Sequence, residues 1–172
     1  MSAQPFVPSQ DSTLASTVAR LAAVIGNPHY PAGDRAALRR WSMNQPAPLA
    51  FYRLWLRHAN EELPPESRTE AWLLLTWCMA TLGHDTHTPT RRIGQALAES
   101  GFSEGRLERL LSAPDAVRPE LFMSAVRFLA AKGERFDLVE AARFLLTTDG
   151  AQRDGINRRV AETFYRHLPN KD

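Results

Sequence analysis

Cysteine, lysine and long apolar runs are all scarce in this sequence. Cys78 is the only cysteine among 172 residues, which excludes an internal disulfide and favours a reducing compartment, with the cytoplasm as the default. The most apolar run, Ala71 to Leu82, is too short to span a bilayer. We therefore expect a buried helix there and no association with a membrane.

The N-terminal segment MSAQPFVPSQ lacks the basic stretch followed by an apolar stretch that is typical of a secretory signal. Residues 1–10 are expected to form a flexible tail instead. With 172 residues, the chain is long enough to bury a hydrophobic core in one domain or in two small ones.

Catalytic motifs are scarce as well. Residues 101–105, GFSEG, match the G-x-S-x-G pattern, but a nucleophile elbow needs a preceding strand, and the pattern before it is helical. Ser103 is therefore interpreted as a helix cap. His84 and His87 make an incomplete metal shell in a segment that the sequence indicates is a solvated loop. We predict no enzymatic activity, no metal and no cofactor.

Helical periodicity, by contrast, runs through most of the chain. Apolar residues at i, i+4, i+7 and i+11 from Leu14 define one helix face, and no run of alternating residues is long enough to indicate a strand. Asp137 with Glu140 resembles a capping box at the start of a later helix. The pattern predicts an all-α fold of eight to nine helices, in two small packed bundles at residues 11–112 and 113–172.

Charge is unevenly distributed, although the formal net charge is only +2. Residues 1–60 hold six arginines and two aspartates, a net charge of +4, whereas residues 61–100 hold six acidic residues and three arginines, a net charge of −3. The only lysines are Lys132 and Lys171. This preference for arginine has two interpretations, a biased genomic base composition or the use of planar guanidinium groups to bind phosphate.

Two adjacent arginines, Arg39 and Arg40, lie in the segment ALRRW between residues that favour burial. Neighbouring helical side chains point about 100° apart, so at least one of the two arginines is expected to face outward. Arg53 and Arg57, four residues apart, share one face of the next helix.

A third set of arginines stands at the start of a helix. Arg91 and Arg92 occupy a first helical turn, where the macrodipole disfavours positive charge. An external anion would account for that placement. The three sets together predict a basic surface, for which a simple solvated face is the alternative.

Residues 93–111, IGQALAESGFSEGRLERLL, have the outline of a helix-turn-helix. In the second helix, Arg106 and Arg109 alternate with Glu104 and Glu108, and the two glutamates would meet phosphate unfavourably. The segment is therefore either the DNA-reading unit of a regulator or ordinary packing of two helices at a corner.

Several segments follow one another in an order and spacing that are more specific than any one of them. They are ALRRW at 37–41, LAFYRLWL at 49–56, the apolar helix, residues 93–111, RFDLVEAARFLL at 135–146 and RRVAETFYRHL at 158–168. Together they resemble the CasB family, the small subunit of the type I-E CRISPR Cascade complex, from about Asp34 to Leu168.

The resemblance implies an all-helical, two-bundle protein without enzymatic activity. Members of this family sit as a pair along the inner face of the complex, contact the guide RNA and target strand, and help to hold the displaced strand. The implied partners are therefore a second copy of the chain, the backbone and large subunits of Cascade, the guide RNA and the target DNA.

The resemblance to the family implies nucleic-acid binding at particular residues. Arg39 and Arg40 match an arginine pair of the family, the second of which is implied to bind nucleic acid, and Arg106 falls on a matching basic position. The loop before residue 93 is basic in the family, but here it offers only Arg91 and Arg92.

We therefore expect a non-catalytic subunit that binds the nucleic-acid backbone without sequence preference and stabilises the hybrid of guide RNA and target DNA together with the displaced strand. The alternatives are a stand-alone helix-turn-helix regulator and a helical adaptor that binds only protein. The candidate nucleic-acid-binding residues are Arg39, Arg40, Arg53, Arg57, Arg91, Arg92 and Arg106.

Overall fold

The computed structural model describes the backbone of residues 10–170 and the side chains of residues 13–170. This part of the chain contains nine helices and no strand, which confirms the predicted all-α fold. In chain order they are α1 (Gln10–Gly26), α2 (Ala32–Arg40), α3 (Leu49–His58), α4 (Glu66–Leu82), α5 (Ile93–Glu99), α6 (Glu104–Ser112), α7 (Arg118–Ala131), α8 (Leu138–Leu146) and α9 (Gly150–His167). Apart from Gln10, the predicted tail lies outside the described residues.

Helix α4 forms the centre of the molecule. Every residue from Trp72 to Ala80 is buried, because its apolar side chains surround the helix instead of forming a single stripe. The helices packed against it are α1, α2, α7 and α8. The buried helix predicted for the most apolar run is confirmed, and none of the described helices is long and apolar enough to cross a membrane.

The remaining helices pack around this centre in pairs. Helix α3 lies against α1 and α2, α6 lies against α7, and α9 packs against α8 and most extensively against α5. Gly94 permits the close approach of α5 to α9, since a Cβ built on it would lie 2.3 Å from the carbonyl oxygen of Val160. The start of α5 is therefore held in a fixed position relative to α9.

Helices on both sides of the predicted division at residue 112 share one hydrophobic core. Phe51 on α3, Phe122 on α7 and Phe164 on α9 are all fully buried within one contiguous cluster. Contacts between α4 and both α7 and α8 cross the same division. The assignment of 11–112 and 113–172 to two bundles stays a prediction about folding units.

The segment between α4 and α5 contacts two other parts of the chain. His84 Nδ1 lies 3.0 Å from the carbonyl oxygen of Gly26 at the end of α1. His87 forms an isolated parallel bridge with Phe136, and the N–H of Thr88 donates to the carbonyl oxygen of Phe136 at 3.1 Å. These contacts fix the approach of the chain to α5.

Candidate nucleic-acid interface

The arginine pair of the ALRRW segment lies at the end of α2, between two anchoring side chains. Leu38 is 1% exposed and Trp41 is 5% exposed, and the indole N–H of Trp41 donates to the carbonyl oxygen of Gln45 at 3.1 Å. Arg39 and Arg40 are both exposed. Because residues three apart share a helix face, burying Leu38 and Trp41 turns both arginines towards solvent.

Neither Arg39 nor Arg40 forms an ion pair within the described part of the chain. Both lie in the last turn of α2, where positive charge interacts favourably with the helix dipole. This interaction stabilises the helix end by about 0.3 to 1 kcal/mol, and it leaves the guanidinium donors available for a further partner.

Helix α3, which packs against α2, carries Arg53 and Arg57. Arg53 donates to Asp34 on α2 at 2.6 Å, and its side chain is 45% exposed. The hydrogen bond to Asp34 raises the pKa of Arg53 above its usual range. Arg57 lies one turn further on, exposed, and forms no ion pair among the described residues. We refer to Arg39, Arg40, Arg53 and Arg57 as the α2–α3 arginines.

Arg91 has internal partners that the sequence did not indicate. Its guanidinium group donates to Glu99 at 2.7 Å, to Glu134, and to the carbonyl oxygen of Arg135 at 3.0 Å. Helix α5 begins at Ile93, so the prediction that Arg91 occupies the first helical turn was wrong, and two carboxylates balance its charge. The placement of Arg91 therefore needs no external anion, and its contact with nucleic acid stays a prediction.

Arg92 differs from its neighbour. It is exposed and occupies the position before the first residue of α5, without an ion pair in the described residues. It lines a small cavity together with Arg143 on α8 and Arg159 on α9. Neither of these last two residues was predicted from the sequence to bind a ligand, although the adjacent arginines at 158–159 repeat the pattern of Arg39 and Arg40.

The carboxylate of Glu140 lies at this cavity. The hydrogen bond that it forms differs from that of the predicted capping box. Asp137 does cap α8, accepting from the N–H of Val139 at 2.9 Å. Glu140 does not reach back to Asp137, whose N–H donates to the carbonyl oxygen of Arg91 at 2.7 Å. Oε2 of Glu140 accepts instead from the N–H of Ile93 at 3.3 Å. Glu140 therefore caps α5 and joins it to α8.

Arg106 packs against aromatic rings on one side. Its guanidinium carbon lies 4.4 Å from the ring centroid of Phe102 and 5.0 Å from that of Phe128, and the side chain is half-buried. The predicted cap is confirmed at the same helix start, since Ser103 Oγ accepts from the N–H of Arg106 at 3.3 Å. The GFSEG segment therefore begins a helix.

The predicted helix-turn-helix outline is present as α5, a turn at Gly101 with φ of 82°, and α6. Helix α6 buries Leu107 and Leu110 against its neighbours. Its exposed residues include Glu104 and Glu108, which would lie close to phosphates in a DNA groove. This charge disfavours α6 as a recognition helix.

The two histidines of the loop before α5 have separate partners. His84 lies against the end of α1, whereas His87 Nδ1 accepts from the N–H of Leu138 at 3.1 Å. The His87 side chain is only 15% exposed, unlike the solvated residue that was expected. Burial lowers the pKa of His87, although Asp137 acts in the opposite direction. Among the described residues, no three metal-ligating side chains come together.

The candidate arginines thus fall into two groups in the structure. The α2–α3 arginines lie on two helices that pack against each other and are joined by the ion pair between Arg53 and Asp34. Arg91, Arg92 and Arg106 belong to α5, α6 and their approaches, which pack against α9 and α7.

Comparison with known protein families gives a match. The family model for CRISPR-associated protein Cse2 matches residues 34–165, which include the α2–α3 arginines and all of α4 to α8. No curated protein and no solved structure matches the chain at a significant level.

Proposed function

Because the chain belongs to the CRISPR-associated protein Cse2 family of type I-E Cascade subunits, we propose that it is a non-catalytic subunit that binds nucleic-acid backbone without reading sequence. In this role it stabilises the hybrid of guide RNA and target DNA and the displaced strand. Its proposed protein partners are the backbone and large subunits and a second copy of the chain.

The placement of Arg39 and Arg40 is the observation that carries this proposal. Both guanidinium groups are exposed and lack an internal ion pair, while buried Leu38 and Trp41 hold the helix that presents them. Guanidinium groups on a rigid support bind phosphate with little loss of side-chain freedom. They contact features shared by every nucleotide, so binding does not depend on base sequence.

The energetics of strand exchange explain how such contacts act. Replacing DNA base pairs by hybrid base pairs is nearly balanced in free energy, so modest contacts between protein and backbone shift the equilibrium. One hydrogen bond to a charged group contributes about 1.5 to 3 kcal/mol, and 1.4 kcal/mol changes an equilibrium tenfold. Two or three available arginines are therefore sufficient to shift the equilibrium of strand exchange towards the hybrid.

The candidate residues contribute unequally to the proposed surface. Arg39, Arg40, Arg57 and Arg92 have no ion pair within the described residues, and we assign them the direct phosphate contacts. Arg53, Arg91 and Arg106 already have internal partners, respectively Asp34, two glutamates, and two aromatic rings. A phosphate would have to compete with these partners, so we assign them weaker contacts.

Titration of the reconstituted complex with target DNA at several salt concentrations tests the proposal. Arg40→Ala is expected to weaken binding equally for unrelated targets and to reduce the salt slope by about 0.7 to 0.9 for one lost phosphate contact. Arg68→Ala is the matched control, because Arg68 is also exposed and without an ion pair among the described residues but is not one of the candidate residues.

Three results would contradict the proposal. An unchanged salt slope for Arg40→Ala, with the fold intact by circular dichroism, would show that Arg40 makes no phosphate contact. Preference of the isolated chain for one duplex sequence would favour the helix-turn-helix regulator. Assembly into a complex whose affinity for nucleic acid does not depend on the chain would favour a protein-only adaptor.

A further inference from the structure

A cleft with a volume of about 460 Å³ lies between α3, the loop that follows α2, and the start of α4. This volume is within the range of roughly 300 to 1,000 Å³ that ligand-binding clefts occupy. Trp41, Phe51, Tyr52 and Leu63 contribute apolar and aromatic side chains to its walls. The cleft is therefore suited to a ligand with an apolar or planar surface.

Two carboxylates give this apolar cleft a negative charge. Glu66 and Glu70 line it, and no basic residue in the described part of the chain does so. Helical residues four apart lie on the same face, so both carboxylates can reach one ligand. Both glutamates are exposed and form no ion pair among the described residues. The cleft therefore combines an apolar wall with negative charge that no internal group neutralises.

The stability of α4 does not account for this pair of glutamates. Glu66 lies in the first turn of α4, where the helix dipole favours a negative charge. Glu70 lies one turn further on, where the dipole has little effect. Like charges four residues apart destabilise a helix, so Glu70 opposes the stability that Glu66 provides. A positively charged ligand between the two carboxylates would offset this repulsion.

The remaining polar groups at the cleft narrow the chemistry of the ligand. The indole N–H of Trp41 donates to the carbonyl oxygen of Gln45 at 3.1 Å, and Thr69 Oγ1 donates to the carbonyl oxygen of Pro65 at 3.2 Å. The two carboxylates repel phosphate, and no third metal-ligating side chain of the described residues joins them. A guanidinium group fits these features, since it donates to carboxylates and stacks on aromatic rings such as those of Trp41 and Tyr52.

The exposure of Leu63 indicates that this guanidinium group belongs to a protein. Leu63 lines the cleft, although its side chain is 46% exposed. A free cation in the cleft would leave this apolar surface in water, whereas a polypeptide segment would cover it. Arginine, tryptophan and tyrosine are also enriched among the residues that dominate the binding energy of protein interfaces. The charge and the walls of the cleft therefore complement an arginine beside an apolar residue on a protein surface.

We propose that the acidic cleft formed by Trp41, Tyr52, Leu63, Glu66 and Glu70 binds an arginine side chain of a different protein, with an apolar residue of that protein packed on Leu63. This interaction gives a role to the acidic segment 61–100, with its net charge of −3. Identification of the partner as another subunit of the complex rests on the proposed function, whereas the ligand chemistry of the acidic cleft does not.

Heteronuclear NMR of the isotope-labelled full chain, titrated with the peptide acetyl-Leu-Arg-Leu-amide, tests the ligand chemistry. The indole N–H resonance of Trp41 is expected to shift with saturation, whereas that of Trp77, which does not line the cleft, is the internal reference. Replacing the arginine of the peptide by citrulline keeps its shape but removes its charge. The affinity is therefore expected to fall about tenfold, which corresponds to one lost charge-assisted hydrogen bond. Equal binding of both peptides, or an unshifted Trp41 resonance, would refute the proposal.

Glu70→Gln and its matched control Glu61→Gln test the position of the site. Glutamine keeps the size of the side chain but removes the charge, so Glu70→Gln is expected to weaken binding of the arginine peptide about tenfold. Glu61 is also exposed and without an ion pair among the described residues, but it does not line the cleft. Because salt screens a charge outside the site, Glu61→Gln is expected to retain the affinity within about twofold. Equal losses in the two variants would assign the binding to general negative charge and overturn the proposal.

Two further measurements on the isolated chain test other occupants of the acidic cleft. Spermidine is expected to bind more weakly than the arginine peptide, because it has no apolar residue to cover Leu63. Binding of spermidine at least as tight as that of the peptide would assign the cleft to a free cation. Sedimentation is expected to show the same oligomeric state for wild type and Glu70→Gln. Self-association that Glu70→Gln abolishes would assign the cleft to a second copy of the chain, and either of these assignments overturns the proposal.

Reconstitution of the complex without target DNA tests the protein partner. The double variant Glu66→Gln with Glu70→Gln is expected to enter the complex with about tenfold lower affinity than wild type or Glu61→Gln, since both charges that face the partner are lost. Normal incorporation of the double variant would overturn the docking of a partner subunit. If wild type itself does not assemble, the proposed function fails, whereas the peptide titration still decides whether the acidic cleft binds an arginine. The phosphate contacts of Arg40 do not affect either result, because target DNA is absent.

Discussion

Replacing Gly94 by alanine tests whether the close packing of α5 on α9 holds the molecule together. A Cβ at this position would lie 2.2 Å from Thr163 Oγ1, 2.3 Å from the carbonyl oxygen of Val160 and 2.9 Å from the backbone nitrogen of Phe164. Ordinary contacts of carbon with other heavy atoms are about 3.5 to 4.0 Å. The two helices would therefore have to separate by about 1 Å, which disturbs the side chains packed between them.

The expected loss of stability follows from two opposing contributions. Overpacking costs about 1 to 3 kcal/mol, and contact with helix backbone, which cannot rotate away, places this site at the upper end. Alanine in a helix is about 1 kcal/mol more favourable than glycine. The net loss is about 2 kcal/mol, which lowers the thermal midpoint by about 4 to 8 °C for a chain of this size.

Gly155 provides the matched control within α9. A Cβ built on Gly155 meets no atom within 4 Å, so Gly155→Ala is expected to stabilise the fold by about 0.5 to 1 kcal/mol. Urea unfolding followed by circular dichroism measures both variants. A Gly94→Ala variant as stable as wild type would refute the close-packing argument.

Addition of Thr163→Ala to Gly94→Ala identifies which atoms are responsible for the loss of stability. Thr163→Ala removes the hydroxyl contact but leaves the contact with the carbonyl oxygen of Val160, so we expect it to restore less than half of the lost stability. Full recovery would show that the side chain, and not the helix backbone, sets the spacing of α5 and α9.

Three further predictions concern the core and the loop before α5. Trp72, which is 7% exposed with its ring centroid 4.8 Å from that of Trp55, is expected to cost about 3 to 5 kcal/mol when replaced by alanine, and an unchanged urea midpoint would contradict its central position. Burial lowers the pKa of His87 below its ordinary 6.5, so the contribution of His87 to stability is complete above pH 6.5 and declines as the pH falls towards the folded-state pKa. His87→Asn should weaken this pH dependence of stability, and a pH profile identical to that of wild type would contradict the prediction. Cys78 is fully buried, and burial raises the pKa of its thiol, so thiol reagents should modify it only at the rate of unfolding, whereas rapid labelling of the native chain would show that it is accessible.

Local features allowed the helices to be predicted from sequence. Ser103 caps α6 because its hydroxyl accepts an N–H of the first turn, and this needs only residues three apart in the chain. Helix α2 begins at Ala32, directly after Pro31, whose φ of −55° is already near the helical value.

Contacts between distant residues could not be predicted in the same way. Arg91 pairs with Glu134, 43 positions along the chain, and Glu140 accepts from Ile93, 47 positions away. Periodicity and capping describe one helix at a time, so they do not specify which helices meet. The local dipole argument for Arg91 and the capping-box interpretation of Glu140 failed for this reason.

The same distinction decides which arginines are available to bind a ligand. Arg35 and Arg39 lie one turn apart on α2, and nothing in the local charge pattern separates them. Arg35 donates to the carbonyl oxygen of Ile25 at 2.9 Å and to that of Asn27 at 2.8 Å, so its donors satisfy the carboxyl end of α1. Arg39 is exposed and has no ion pair within the described residues. The exposure of an arginine followed from local spacing in the sequence. The presence or absence of an internal partner followed from the packing of α1 on its neighbours. A phosphate contact requires both an exposed side chain and a free donor.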